Sequence, residues 1–111
     1  MYTIKFKNLH LRPGYQTTCR LGDKHFNHLN DYKSKEIYLT DLIENNKIKV
    51  KLLSLDCKSF ILLSECHISS NHDPFARKSR RNLEKVMKDL YKESFEITKK
   101  VTIIGFDFQP V

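Results

Sequence analysis

Residues 73–92 read DPFARKSRRNLEKVMKDLYK, and this stretch organises what lies on either side of it. Asp73 is a good helix N-cap and Pro74 a good first helical residue, because proline lacks the N–H that a first turn leaves unpaired. Ala76, Leu83, Val86, Met87 and Leu90 then recur at helical spacing, with Ser79 on the same side. The pattern predicts one amphipathic helix from Asp73–Pro74 to about Ser94. Its apolar stripe needs a surface to cover, and the flanking segments supply a sheet.

Downstream, Val101 to Phe108 reads as a strand with a parity switch between Ile103 and Ile104, where Gly105 would tolerate a bulge. Upstream, Ile48, Val50 and Leu52 alternate with Lys47, Lys49 and Lys51, the period of a half-wet strand. Phe60 to Ile68 is apolar on both parities and reads as a second, central strand, joined to the first by a hairpin at Asp56–Ser59. A strand–helix–strand path into Val101–Phe108 then calls for a parallel neighbour or a crossing of the sheet.

Further out, Tyr2, Ile4 and Phe6 alternate with Thr3, Lys5 and Lys7 as a first strand. Arg12-Pro13-Gly14-Tyr15 is a turn, Tyr15 to Leu21 returns as a short edge strand, and Gly22-Asp23-Lys24 turns again. His25 to Lys33 is polar and reads as loop. Ser34 to Asn46 is either a helix capped by Ser34, which would give a split βαββαβ order, or a strand at Glu36–Leu39 followed by a helical turn capped by Thr40. Cap chemistry favours the second. The fold class is therefore α+β: a small, mainly antiparallel sheet of four to five strands, one long helix from the C-terminal half packed on one face, and a final strand after it. Residues 1–111 form a single compact domain, which suits the length.

The net charge of +7 is unevenly spread. Residues 1–30 hold five basic and one acidic side chain, residues 31–70 six of each, and residues 71–111 nine and six. Such a balance favours anionic partners. Cys19, Cys57 and Cys66 form an odd set without paired spacing, so neither a disulfide framework nor a zinc site is indicated, and reduced thiols in the cytoplasm are expected. The longest apolar run, Phe60–Leu63, is too short to span a bilayer, and Lys5, Lys7 and Asn8 interrupt any secretory core near the start. No membrane association is expected.

The strongest functional signal lies on the helix. On a wheel, Arg77, Arg81, Lys88 and Lys92 fall opposite Leu83, flanked by Lys78 and Lys85, with Arg80 nearer the boundary. Seven basic residues stand there against only Glu84 and Asp89. Pairs such as Arg77 with Arg81 repel at i,i+4, and Arg77, Lys78, Arg80 and Arg81 sit where the helix dipole prefers acids. Folding does not call for that arrangement, so an external anion accounts for it. Arg12, Arg20 and Lys24 are candidates to extend the patch. Guanidinium forks suit phosphate and carboxylate.

Catalytic chemistry has less to stand on. His67 and His72 are the candidates for acid–base work beside the arginines, as in a metal-independent ribonuclease. His25 and His28 have a metal-like separation but lack a matching pair, so no metal and no cofactor is expected. Phosphate loops and dinucleotide fingerprints are absent from the sequence. The expected function is a small non-catalytic protein whose basic helix face meets nucleic-acid phosphates. A protein-binding or inhibitor module for an acidic partner is the first alternative and a small ribonuclease the second. A short sheet also offers edges through which a homodimer could form.

Overall fold

The computed structural model describes residues 2–43 and 45–110. Five strands, β1 (Tyr2–Phe6), β2 (Gly14–Leu21), β3 (Glu36–Asp41), β4 (Ile48–Ser59) and β5 (Lys100–Phe108), form one sheet in the order β1-β3-β4-β5-β2. Only β1 and β3 pair in parallel; the other neighbours are antiparallel. Three helices accompany them: α1 (Lys24–Leu29), α2 (Glu65–Ser69) and α3 (Arg80–Tyr91). The α+β class, the mainly antiparallel sheet, the long late helix and the closing strand are all present. Among the described residues no helix is long and apolar enough to cross a membrane.

Both faces of β5 are buried, and each belongs to a different core. Val101 and Ile103 join Cys19, Phe60, Leu63, Ile68 and the α3 residues Leu83 and Met87. Ile104 and Phe106 join Ile4, Phe6, Ile37, Leu39, Val50 and Leu52, together with Leu29 from α1. The parity switch read in the sequence is thus a strand covered on both sides. The bulge lies across from it, in β4 between Leu52 and Ser54, where the register against β5 shifts. Gly105 faces that bulge, and a Cβ there would run into the Ser54 and Tyr15 hydroxyl oxygens.

Four local expectations need correction. Phe60 to Ile68 is not a strand. β4 runs straight on through the expected hairpin to Ser59, and a 3-10 turn (Phe60–Leu62) and α2 follow. Apolar residues on both parities fit a short buried helical segment as well as a strand, and the Ser64 cap decides it: its hydroxyl accepts from the His67 N–H while the His67 ring accepts from the Ser64 N–H. Secondly, the helix does not start at Pro74. Asp73 Oδ1 does accept from Phe75 N and Ala76 N, but it caps only a turn leading to the 3-10 segment Ala76–Lys78. Ser79 is extended, its Oγ accepts from Asn82 N at 3.1 Å, and α3 begins after it. A 3-10 turn at Lys92–Ser94 carries the helical path to the expected end.

Thirdly, His25–Lys33 contains α1, whose Leu29 enters the core beside β4 and β5. Fourthly, β5 has no parallel neighbour. Phe60 N donates to Lys99 O at 3.0 Å and Ile61 N to Ile97 O at 2.9 Å, so the helical excursion returns to the end of the sheet it left. It works as a long hairpin loop. In 34–46 the strand reading holds, as β3, with Leu42 and Ile43 in a turn rather than in a helix.

The sheet curls strongly. Phe6 on β1 and Arg20 on β2, at opposite ends of the strand order, meet with the guanidinium carbon 4.2 Å from the ring centre. The free edge of β2 is met by a second segment: Thr17 N donates to Ser70 O and His72 N to Thr17 O, both at 2.8 Å. That occupies part of the edge a second copy would need. Gly105→Ala should destabilise the fold by about 1–3 kcal/mol, because the Ser54 and Tyr15 side chains, hydrogen-bonded to each other at 2.9 Å across Gly105, would both have to turn away. Urea unfolding would show it as a lower midpoint with unchanged slope; an unaltered midpoint would mean these side chains turn away freely.

Candidate functional site

The seven basic residues of 77–92 fall into two groups. Arg80 turns inward, its guanidinium donating to Phe60 O at 3.1 Å and to Leu63 O. Arg77 donates to His72 O at 3.3 Å, and its Nε is buried without a hydrogen-bond partner among the described residues. Lys78, Arg81, Lys85, Lys88 and Lys92 are exposed. Of these, Lys85 pairs with Asp89 at 3.5 Å and Lys88 with Glu84 at 2.8 Å along the helix. Exposed pairs of this kind contribute only a few tenths of a kcal/mol, roughly 0.3–0.5. Leu90, expected on the covered face, is 43% exposed.

Lys24 opens α1, and burial, with the charges of Arg20 and Lys24 added, holds His25 neutral. Arg12 lies close enough to Arg77 that the second guanidinium adds to burial in disfavouring its charge. Arg20 is the unexpected one. Its Nη1 donates to Lys5 O at 2.7 Å, its Nε to Thr18 Oγ1 at 3.2 Å, and the Tyr91 hydroxyl lies within reach. Burial pushes its pKa down, and the groups that oppose this, Tyr91, Cys19 and Tyr2, include no carboxylate. Among the described residues no carboxylate pairs with it.

Arg20 stands at a cavity of about 360 Å³ between the β1–β2 seam and α3. Lys5, Lys7 and Asn8 line one side, Leu83, Val86 and Met87 of α3 the other, and Thr18, Asn71, His72, Asp73, Asp89 and Tyr91 complete the polar lining. The cavity residues Lys5, Lys7, Asn71 and Tyr91 were not singled out from the sequence. The only hint was the concentration of positive charge in residues 1–30, which periodicity could not place.

The two candidate histidines are kept apart. His72 lines the seam cavity and His67 lines another, beside Asp56 and Cys66. His67 is occupied on both nitrogens: Nδ1 accepts from Ser64 N at 3.1 Å, and Nε2 stands 3.2 Å from Asp56 Oδ2. Cys66 and His67 are neighbours on α2 rather than on a strand, and Cys66 is exposed. His72 packs edge-on against Phe6 with ring centres 4.9 Å apart, and its Nδ1 is buried without a partner. Burial, reinforced by Arg20, lowers its pKa to about 4. His25 and His28 gather around Tyr2, and among the described residues no group of three metal-ligating side chains converges.

Arg80→Ala should destabilise the fold by about 2–4 kcal/mol, since it leaves the Phe60 and Leu63 carbonyls without their charged donor. Arg81→Ala, removing a solvated charge, should change stability by less than about 0.5 kcal/mol. Equal urea midpoints for the two variants would contradict the inward placement of Arg80. The pH dependence carries a sign. His72 is held neutral in the fold, so its contribution is present above its unfolded pKa near 6.5 and is lost as pH falls toward 4. The loss is on the order of 3 kcal/mol over that window, and His25, shifted the same way, adds a smaller part. Denaturation midpoints at pH 7 and pH 4.5 should differ more for the native chain than for His72→Leu. No protein-family model, curated protein or solved structure matches the chain.

Proposed function

We propose that the chain is a non-catalytic protein that binds nucleic acid through its phosphates. The observation that carries this reading is the repulsion between Arg12 and Arg77, with no acid set against it among the described residues. Such repulsion costs folding energy, and an external polyanion relieves it. Arg81, Lys78 and Lys92 extend the positive surface along the outer side of the helix. Arg80 belongs to the fold instead, so the patch differs from the stripe a helical wheel draws. An exposed Cys66 thiol fits a reducing, cytoplasmic setting.

A second reading has its own observation. Ile61, Leu62 and Ile97 are 51%, 67% and 36% exposed, and Ile61 and Ile97 are joined by a backbone hydrogen bond, so apolar side chains gather at one place on the surface. An acidic protein with an apolar anchor would fit there. The ribonuclease reading has no comparable support, because His67 and His72 line separate cavities.

Fluorescence titration with short single-stranded and duplex DNA and RNA, at 50 and 200 mM salt, separates these readings. Contact with four phosphates predicts a loss of affinity on the order of a hundredfold between the two conditions. Changing Arg12, Arg77 and Arg81 to Ala should flatten the salt slope. Affinity that ignores salt, or a stoichiometric complex with an acidic protein that survives nuclease, would overturn the nucleic-acid reading in favour of the second.

A further inference from the structure

Resting on the nucleic-acid reading above, we propose that the seam cavity is a phosphomonoester site that takes the terminal phosphate of a strand or the same group on a free mononucleotide, with Arg20 as its anchor. Three features meet there. The first is a half-buried guanidinium that no carboxylate pairs with among the described residues. Arg20 donates to a carbonyl and a hydroxyl and lies against the Phe6 ring, none of which carries negative charge. A buried cation is costly unless an anion offsets it. Because both edge strands already hold the fork in place, little side-chain freedom remains to be lost on binding.

The second feature is His72, 8% exposed and lining the same cavity. Burial holds its ring neutral and it hydrogen-bonds the His10 backbone, so it sets no second charge beside Arg20. The third is the state of the two carboxylates in the lining. Asp73 accepts from the N–H groups of Phe75 and Ala76 and Asp89 stands 3.5 Å from Lys85, and neither is among the groups acting on Arg20. Lys7, exposed at the lining, adds a second cation suited to a group carrying roughly −1.5 to −2.

Charge favours a chain end. A terminal phosphate carries roughly −1.5 to −2 and an internal diester about −1, so the end group gains more from Arg20 and Lys7, which both line the recess between β1 and α3. Its volume of about 360 Å³ lies toward the lower end of small-molecule sites, roughly 300–1,000 Å³. Leu83, Val86 and Met87 give an apolar wall against which a sugar or base can lie.

Matched oligonucleotides with a 5′-phosphate, a 3′-phosphate or neither, together with adenosine monophosphate and inorganic phosphate, test the site by NMR on labelled protein. One phosphorylated end should bind about tenfold more tightly than the unphosphorylated strand, and the Arg20 Nε–H signal should move with it. Arg20→Lys should remove that preference. Should that variant not fold, Lys7→Ala, at an exposed position, should still reduce the preference severalfold. Competition by adenosine monophosphate identifies the free nucleotide as a ligand, and its failure to compete assigns the site to strand ends. Equal affinity for all three strands with an unmoved Arg20 signal would overturn the terminal-phosphate site while leaving general phosphate binding intact. No binding of any strand at low salt would overturn both.

Discussion

The architecture turns on how Arg20 joins two strands that have no place beside each other in the sheet order. β1 and β2 are the ends of a five-strand ladder, yet the guanidinium of Arg20 lies on Phe6 and donates to the carbonyl of Lys5. Through that contact the sheet is held in its curl, and Ile4, Phe6, Ile37, Leu39, Val50, Leu52, Ile104 and Phe106 share one interior. Phe6, on a terminal strand, is 3% exposed only because something covers it from the far edge. A planar, delocalised cation can stack on a ring and donate in its own plane at once, which an ammonium cannot do.

The other inward arginines follow a related logic. The segment from Phe60 to His72 departs from the sheet and contains only a 3-10 turn and one short helix, so several of its carbonyls lack a regular partner. Arg80 reaches back to two of them and Arg77 to a third. Part of the arginine density at 77–81 is therefore backbone satisfaction. A wheel assigns a residue its direction at Cβ, but a side chain as long as arginine can fold over a neighbouring segment and finish elsewhere. That is why Arg77 and Arg80 end on main-chain carbonyls rather than along the outer stripe of the helix.

Period and cap chemistry carried much of the fold into the sequence. β1, the start of β4 and β5 were legible because one or both faces alternate, β2 because turns at Arg12–Gly14 and Gly22–Lys24 bracket it, and the apolar face of α3 because Leu83 and Met87 repeat at helical spacing. Phe60 to Ile68 was not legible as a 3-10 turn and helix, since an apolar run of that length has no period of its own, and the Ser64–His67 capping box is not the usual Ser/Thr with Glu/Gln. α1 was hidden because it is short and, apart from Phe26, polar up to Leu29, the one residue it buries. The seam was out of reach altogether. It joins residues 5, 6, 17, 20 and 70–72 through side chains and single hydrogen bonds, none of which leaves a periodic trace.

β2 shows what closing the sheet this way entails. Its Gln16-Thr17-Thr18 stretch reads as a wet edge, yet these residues are 0%, 1% and 2% exposed. They can be buried because each has a partner. Gln16 Nε2 donates to Gly14 O at 3.2 Å, Thr17 Oγ1 lies 3.1 Å from Ser70 Oγ, and Thr18 Oγ1 accepts from Arg20. A hydrogen-bonded seam of this kind fixes orientation more tightly than apolar contact would, since each unmatched group would cost about 1–3 kcal/mol. It also keeps the strands further apart than a ladder does. Backbone pairing between β1 and β2 would draw them to about 4.8 Å and fill the space with main chain. Closure through one long side chain and a short crossing segment leaves a recess beside the clamp, lined by the clamp's own charge. The cavity and the half-buried cation thus have one cause, and a ligand that answers the cation must enter where the sheet fails to pair with itself.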